Sequence, residues 1–452
     1  MAEILPFAAT RYHARFNPDL AQLLTPPYDV IDKPMQQALY TQNPYNLVRV
    51  DFSKDLPGDS EYDNRYTRAG ATWQQWKNEA VIVEDPRKAL YVYEQTFTLP
   101  GGDTLRRRGF FAAVKLQDFS EGGIRAHEHT FAGPKADRFR LMRATNCNMS
   151  PIFCLFDDGD KSVDQMLSEG IEGQPPVETV FQGVTQRLWV LGQHALIRGI
   201  AKAMAPQTLF IADGHHRYET SLLYRDEMRA AMGRKNGRQP FDYAMIYLNN
   251  IHDEGLIILP THRVLSKETT MGVDLKEALD DLGEYFELEP LEFDTAQLDA
   301  EAGRITARMA EAGRRGPSYA MILPKGQAWL LTMKPQANVD EMMDDEEAEQ
   351  TPRAIKELDV SILHRYIINR AWLGNPAMEL DDQDVAYVKD AGEVLRKMTG
   401  CSKFGVAFLV NPTRIEQVCG IAGQSLRMPH KSTYFYPKLV TGLVMRDLNS
   451  PW

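Results

Sequence analysis

Between Leu209 and Met228 the chain reads LFIADGHHRYETSLLYRDEM. A short apolar run meets Asp-Gly and then a segment with apolar residues at helical spacing. The order predicts a buried strand, a sharp turn and an amphipathic helix. Gly214 can take φ > 0, where other residues meet a steric cost. The first turn of the helix leaves backbone N–H groups without intrahelical partners and carries partial positive charge. Such an end attracts anions. His215, His216 and Arg217 stand at or beside it. Arg217 offers a planar fork for phosphate oxygens, and the imidazoles can donate hydrogen bonds or shuttle protons. Asp213 can accept a proton, hold a divalent metal or cap the helix.

The same alternation of strand and helix runs along the chain. Residues 62–81 have helical spacing through Tyr66, Ala69, Trp73, Trp76 and Ala80. Residues 89–99 and 106–119, with Gly-Gly at 101–102, predict a hairpin. Helix follows over 135–148, strand over 150–158, then strand (RLWVL) and helix (HALIRGIAKAM) before the central segment. YAMIYLNNI and LIILPTHRVL are two more apolar strands, the second closed by Pro260 so that Thr261, His262 and Arg263 fall at its exit. A helix is expected from Val360 to Trp372, and strands near Phe404–Leu409 and Tyr434–Phe435. The fold class is α+β, a mixed α/β chain.

A chain of 452 residues implies two or three domains at about 100–200 residues each. The expected division is an N-terminal α/β segment over 1–85, a core α/β domain over 86–335, an acidic loop or linker over 336–353 and a C-terminal α+β segment over 354–452. The acidic stretch holds seven Asp and Glu between Asp340 and Glu349 and reads as a solvated surface segment.

Net charge is −11, so a long basic face for nucleic acid is not expected and a small anionic ligand is. No window is long and apolar enough to span a bilayer, and residues 1–19 lack the pattern of a signal peptide. Four scattered cysteines without a CxxC pair suit reduced thiols. The expected setting is cytoplasmic.

Two further clusters carry chemistry. GGIRAHEHTFAGPKADRFRLMRAT holds His127, Glu128 and His129, then Lys135, Asp137, Arg138, Arg140 and Arg143. On a strand His127 and His129 share one face and Glu128 the other, whereas a loop lets all three converge. His127, His129 and Asp213 are candidate metal ligands, Glu128 a candidate general base, and Arg138 a candidate phosphate ligand. MPHKSTYFYPK gathers Lys431, Ser432, Thr433 and Lys438; Lys431, Ser432 and Thr433 are candidate phosphate or metal contacts, without the glycines of a Walker A loop. Asp29, Arg49 and Asp51, in PPYDVI and NPYNLVRVD, stand at expected strand edges.

GHHR after a buried strand resembles the phosphate motif of the ParB/sulfiredoxin-like superfamily, which includes ParB nucleotide-binding domains, sulfiredoxins and free serine kinases. The set TPPYDVI, NPYNLVRVD, HEHT followed by DR, ADGHHRYET, LPTHRV and MPHKSTYFYPKLVTGLV resembles the family known as domain of unknown function 1015 along nearly the whole chain. The resemblance implies a ParB/sulfiredoxin-like core elaborated with additional sheet and helices. It implies a nucleotide (ATP, ADP or CTP) with its phosphates on Gly214 and Arg217, helped by Arg138, Lys431, Ser432, Thr433, His262 and Arg263. Mg²⁺ would neutralise charge, and Asp213, His215, His216 and Glu128 would form the reacting group. The expected activity is a small-molecule kinase acting on a hydroxylated metabolite, with a homodimer among the expected assemblies. A non-catalytic nucleotide switch and a metal-dependent phosphohydrolase are the alternatives.

Overall fold

The computed structural model describes residues 2–99, 101–233, 237–343, 350–381, 383–400 and 403–450. The chain divides into two compact units, Met1–Ile257 with Pro437–Trp452, and Ile258–Tyr436. This division cuts across the boundaries expected at 85 and 335. The physical reason is that both ends of the chain join the first unit. Ile4 and Leu5 pair with Val114 and Ala113, and the Met445 carbonyl accepts from the Thr10 N–H at 2.9 Å.

The first unit is built on a nine-stranded mixed sheet. Its strands are β1 (Ile4–Leu5), β2 (Leu90–Thr98), β3 (Thr104–Lys115), β4 (Ile124–Arg125), β5 (Ile152–Phe156), β6 (Val177–Phe181), β7 (Val184–Leu191), β8 (Leu209–Asp213) and β9 (Tyr243–Asn250). They run in the order β4-β8-β5-β9-β3-β2-β7-β6, with β1 beside β3. The hairpin expected from the alternating pattern is β2–β3, in register from Tyr91↔Phe111 to Thr98↔Thr104. Every residue of β5 and β9 is buried, which is why these strands read as continuous apolar runs. Ile152, Cys154, Leu209, Ile211, Ile246 and Leu248 form the core with Leu167, Ile197, Ile200 and Met204 of the helices Ser162–Ile171 and His194–Met204.

Three helices of this unit matter for the site: α1 (Arg65–Asn78), α2 (Ala132–Thr145) and α3 (His215–Ala231). Helix α2 begins three residues before the expected 135, because Ala132, Gly133 and Pro134 carry no apolar period, although a first turn tolerates proline. Tyr218 anchors α3. It is fully buried, and its hydroxyl donates to the Gln117 carbonyl at 2.7 Å.

The second unit holds a six-stranded sheet. Its strands are β10 (His262–Ser266), β11 (Phe286–Glu292), β12 (Ser318–Ile322), β13 (Gln327–Met333), β14 (Val385–Val388) and β15 (Phe404–Val410), ordered β11-β13-β12-β15-β10-β14. LIILPTHRVL is therefore not one strand ended by Pro260. His262 and Arg263 open β10, between β14 and β15. The helix expected over Val360–Trp372 is a short α-turn, Asp359–Ser361, running into a π-helix, Ile362–Trp372. Of the acidic stretch, residues 344–349 lie outside the described residues; before them, Asp340 pairs with Lys356 at 2.6 Å. Among the described residues, no helix is long and apolar enough to cross a membrane.

Candidate functional site

The site grows from the junction of β8 and α3. A register shift against β5 falls between Ile211 and Asp213. Such a bulge re-aims the residue beyond it. Gly214 follows at φ 91° and caps α3. Two constraints require glycine there. The left-handed backbone disfavours a side chain, and a Cβ would lie 2.9 Å from Nε of Arg217. The space that a side chain would fill belongs to the guanidinium.

Arg217 turns back along α3. Its Nη2 donates to Oδ2 of Asp213 and its Nη1 to the Pro151 carbonyl. Lys438 Nζ donates to the other carboxylate oxygen, Oδ1. One carboxylate thus holds two cations at the N-terminus of α3. Burial alone would raise the Asp213 pKa. The charges of Lys438 and Arg217 outweigh it and hold the carboxyl far below its ordinary range.

Lys438 reaches this point because the hairpin grips its backbone. Arg107 and Gln95 face each other across β2–β3 and are both fully buried. Arg107 Nη2 donates to the Pro437 carbonyl at 2.5 Å. Gln95 Nε2 donates to the Lys438 carbonyl at 3.1 Å.

The HEHT segment lies against the first turn of α3. His127 is buried, and its Nδ1 lies 2.8 Å from the Ile211 carbonyl. The His127 N–H donates to Nε2 of His215 at 3.3 Å, and the two rings stand edge to face at 4.6 Å. His215 Nδ1 lies 3.5 Å from Oε2 of Glu128. The next residues fasten the second turn. His216 Nε2 accepts from the Phe131 N–H at 2.9 Å, while Glu219 accepts from Thr130 at 2.7 Å and from Lys135 at 2.9 Å. Burial lowers the His216 pKa against the pull of Glu219 and Asp29, so this imidazole is neutral at pH 7.

The segment is a loop with a bend at Glu128, not a strand. The bend breaks the alternation that would pair His127 with His129. Ligand atoms of His127, Glu128 and His215 lie within 4.8 Å of one another. His129 is exposed and, like Asp213, stands outside that trio.

Arg138 is held differently. Its Nε donates to Asp137 at 2.7 Å, and its Nη1 donates to the Asp51 carbonyl at 2.9 Å and to Oδ1 at 3.0 Å. The guanidinium lies 4.0 Å from the Tyr28 ring centroid. Burial opposes the charge, but Asp51 and Asp137 outweigh it and raise the pKa. Ser150 completes the cluster by donating to Asp51 at 3.1 Å. Arg138 and Arg217 line one small cavity of about 40 Å³ with Asp51, Ser150 and Thr220. The motif residue Asp51 therefore meets Arg138 inside the protein rather than at a strand edge; it ends a helical turn, Val48–Asp51.

His262, Arg263, Lys431, Ser432 and Thr433 belong to the second unit. Arg263 is fully buried, and its guanidinium lies 4.9 Å from the Tyr387 ring centroid. It donates to the Thr261 carbonyl and, at 3.3 Å, to the Lys431 carbonyl. Burial lowers its pKa to about 10. His262 Nδ1 accepts from the Val410 N–H at 3.2 Å. Burial, helped by Arg263, pushes its pKa to about 3. Lys431 is exposed, Thr433 is partly buried, and buried Ser432 donates to the Pro429 carbonyl at 2.5 Å. Lys438, rather than Lys431, is the lysine on Asp213. Sequence reasoning noticed Lys438 only as a member of the same cluster.

Among solved structures, free serine kinase in complex with AMP is 12% identical, with 76% of this chain and 92% of that chain covered and a TM-score of 0.30. A conserved hypothetical protein from Pyrococcus furiosus is 12% identical, with 76% and 96% covered and a TM-score of 0.31. SbnI with C-terminal truncation from Staphylococcus aureus is 10% identical, with 74% and 86% covered and a TM-score of 0.31. No curated protein matches the chain. The family model described as protein of unknown function, DUF1015, matches residues 4–361, and the chain belongs to that family.

Proposed function

We propose that the protein is a nucleotide-dependent phosphotransferase acting on a small hydroxylated substrate. The observation that carries this reading is the shared carboxylate: Asp213 holds Lys438 and Arg217 together at the glycine-capped start of α3. The three side chains leave one net positive charge beside the positive end of a 17-residue helix. Nucleotide phosphates fit that field, with Mg²⁺ as their counter-ion. ATP, ADP and CTP all present the required group. Asp213 fixes both cations in place before a ligand arrives, so little reorganisation accompanies binding.

Asp213 is a poor proton acceptor, because two cations hold its carboxyl deprotonated. The acceptor role falls to Glu128, paired with His215. The substrate oxygen attacks the terminal phosphorus, its proton passes to Glu128, and the nucleotide leaves one phosphate shorter. Catalysis rests on positioning and electrostatics.

The test is a screen of the full chain with ATP, ADP and CTP against small alcohols, free serine included, read by ³¹P NMR and thermal shift. A stabilising shift with one nucleotide and its consumption with one alcohol are expected. No shift and no consumption with any of them overturns the reading.

A further inference from the structure

We propose that His127, Glu128 and His215 form a resident site for a divalent transition cation of the Zn²⁺ or Mn²⁺ class, separate from the Mg²⁺ carried by a nucleotide. Two imidazoles and one carboxylate have ligand atoms within 4.8 Å of one another. Ligands at about 2.0–2.2 Å from one tetrahedral ion stand about 3.3–3.6 Å apart. His215 Nδ1 and Oε2 of Glu128 already meet that spacing at 3.5 Å, and a closure of at most about 1.5 Å completes the set.

The surroundings fit this use. His127 Nδ1, 2.8 Å from the Ile211 carbonyl, is the protonated nitrogen of that ring, which makes Nε2 the lone-pair atom. A carbonyl on the far nitrogen of a ligating histidine fixes its tautomer and ring orientation. Ile211 lies in β8, so the sheet itself sets the ring. His215 is held by α3, a rigid element, and faces Glu128 through Nδ1. A cation on Nδ1 moves the ring proton to Nε2, at the expense of the long 3.3 Å contact with the His127 N–H. The two histidine side chains are buried, while Glu128 is 25% exposed. Solvent reaches the site through Glu128, and a bound cation increases the acidity of a water that it takes up.

The donor set selects the metal. Imidazole nitrogen suits Zn²⁺ and Mn²⁺ better than Mg²⁺, which prefers oxygen and keeps its waters. The proposal needs no nucleotide. Nucleotide binding can therefore fail while cation binding succeeds. With the cation bound, Glu128 is a ligand and the substrate proton passes to a hydroxide on the cation, so Glu128 itself is the acceptor only in the protein without it.

The experiment uses the full chain, treated with chelator and then titrated with ZnCl₂, MnCl₂ or MgCl₂ alone by calorimetry. One equivalent of Zn²⁺ or Mn²⁺ is expected, with Mg²⁺ at least tenfold weaker. Glu128→Gln and His127→Asn are expected to weaken Zn²⁺ binding at least tenfold, and His129→Ala to leave it unchanged. A second measurement needs no variant: in histidine-labelled protein, Mn²⁺ should broaden the ring signals of His127 and His215 before those of the other histidines. Uptake below one-fifth of an equivalent overturns the proposal. So does binding that survives both trio variants, or broadening that begins at other histidines.

Discussion

Lys438 and Asp213, 225 residues apart in the chain, form an ion pair at the start of α3. A segment from the end of the chain thus completes a strand–turn–helix unit built in its middle. Arg107 and Gln95 are the means, since they hold the carbonyls of Pro437 and Lys438.

Lys438→Met should remove one of the two cations while keeping the length and apolar stem of the side chain. ADP affinity should fall at least tenfold by calorimetry. Acid stability should change with it. Asp213 has a depressed folded pKa. Its contribution is therefore present above the unfolded value of about 3.9 and is lost as pH falls through the folded value. The native protein should lose stability below pH of about 4, and the variant should have less to lose. Urea unfolding at half-unit pH steps reads the difference. Equal slopes for the two proteins would refute the ion pair's role.

Gly214→Ala tests the turn against a control of the same backbone. Gly214 and Gly102 have φ of 91° and 92°, but only at Gly214 does a Cβ meet neighbours, the Arg217 guanidinium at 2.9–3.0 Å. Gly102→Ala should cost about 1 kcal/mol from the left-handed backbone alone. Gly214→Ala should cost more, about 2–3 kcal/mol, and should also weaken ADP binding by displacing Arg217. Denaturant unfolding of both variants reads the stability difference, and calorimetry with ADP the binding.

The central strand, turn and helix were legible because a buried strand, a glycine and an amphipathic helix each leave a local pattern. The β2–β3 hairpin was legible for the same reason. What escaped depends on contacts distant in sequence. No local pattern shows that Lys438 rather than Lys431 meets Asp213, since both lie in one motif. The bend at Glu128 turns His129 outward, and alternation alone cannot reveal a bend. Pro260 did mark a break, but His262 and Arg263 restart a strand immediately beyond it. The unit boundary was hidden because chain return through Pro437–Trp452 leaves no compositional trace.

Arg138 tests whether a buried cation near the site is structural. Arg138→Met leaves the buried Asp51 carboxylate without its main partner. That should cost about 3–5 kcal/mol. Asp51→Asn in the same chain removes the stranded charge and should restore a large part of the loss. Measured as a double-mutant cycle by urea unfolding, strong coupling supports this account. Additive effects would return Arg138 to the candidate phosphate ligands.

Glu128→Gln separates binding from chemistry. The amide keeps the shape of the carboxylate but cannot take a proton. In protein freed of transition metal and supplied with Mg²⁺, where loss of a cation ligand does not enter, a proton-accepting Glu128 means that kcat should fall about 10²–10⁴-fold with ADP affinity within threefold of the native value. Equal losses in affinity and kcat would instead make Glu128 a phosphate-site residue.

The second unit offers a pH signature independent of the site. Burial, with help from Arg263, holds His262 near pKa 3 and His364 near 4. Both are far below the unfolded value of about 6.5, so below pH 6.5 the unfolded chain binds protons that the folded one refuses. Each histidine then costs about 1.4 kcal/mol per pH unit. Asp359 works in the opposite direction. Burial raises its folded pKa to about 6 despite Arg414, so between pH 6 and 4 the folded state gains the proton first and recovers about 1.4 kcal/mol per unit. These three groups together should make stability fall by about 1.4 kcal/mol per unit between pH 6 and 5. Asp359→Asn should steepen the fall to about 2.8 kcal/mol per unit, and His262→Gln should remove about half of that steeper slope in the double variant. Urea unfolding free energies at pH 5.0, 5.5 and 6.0 measure both changes. A slope that Asp359→Asn leaves unchanged would show that Asp359 does not hold its proton in the folded state.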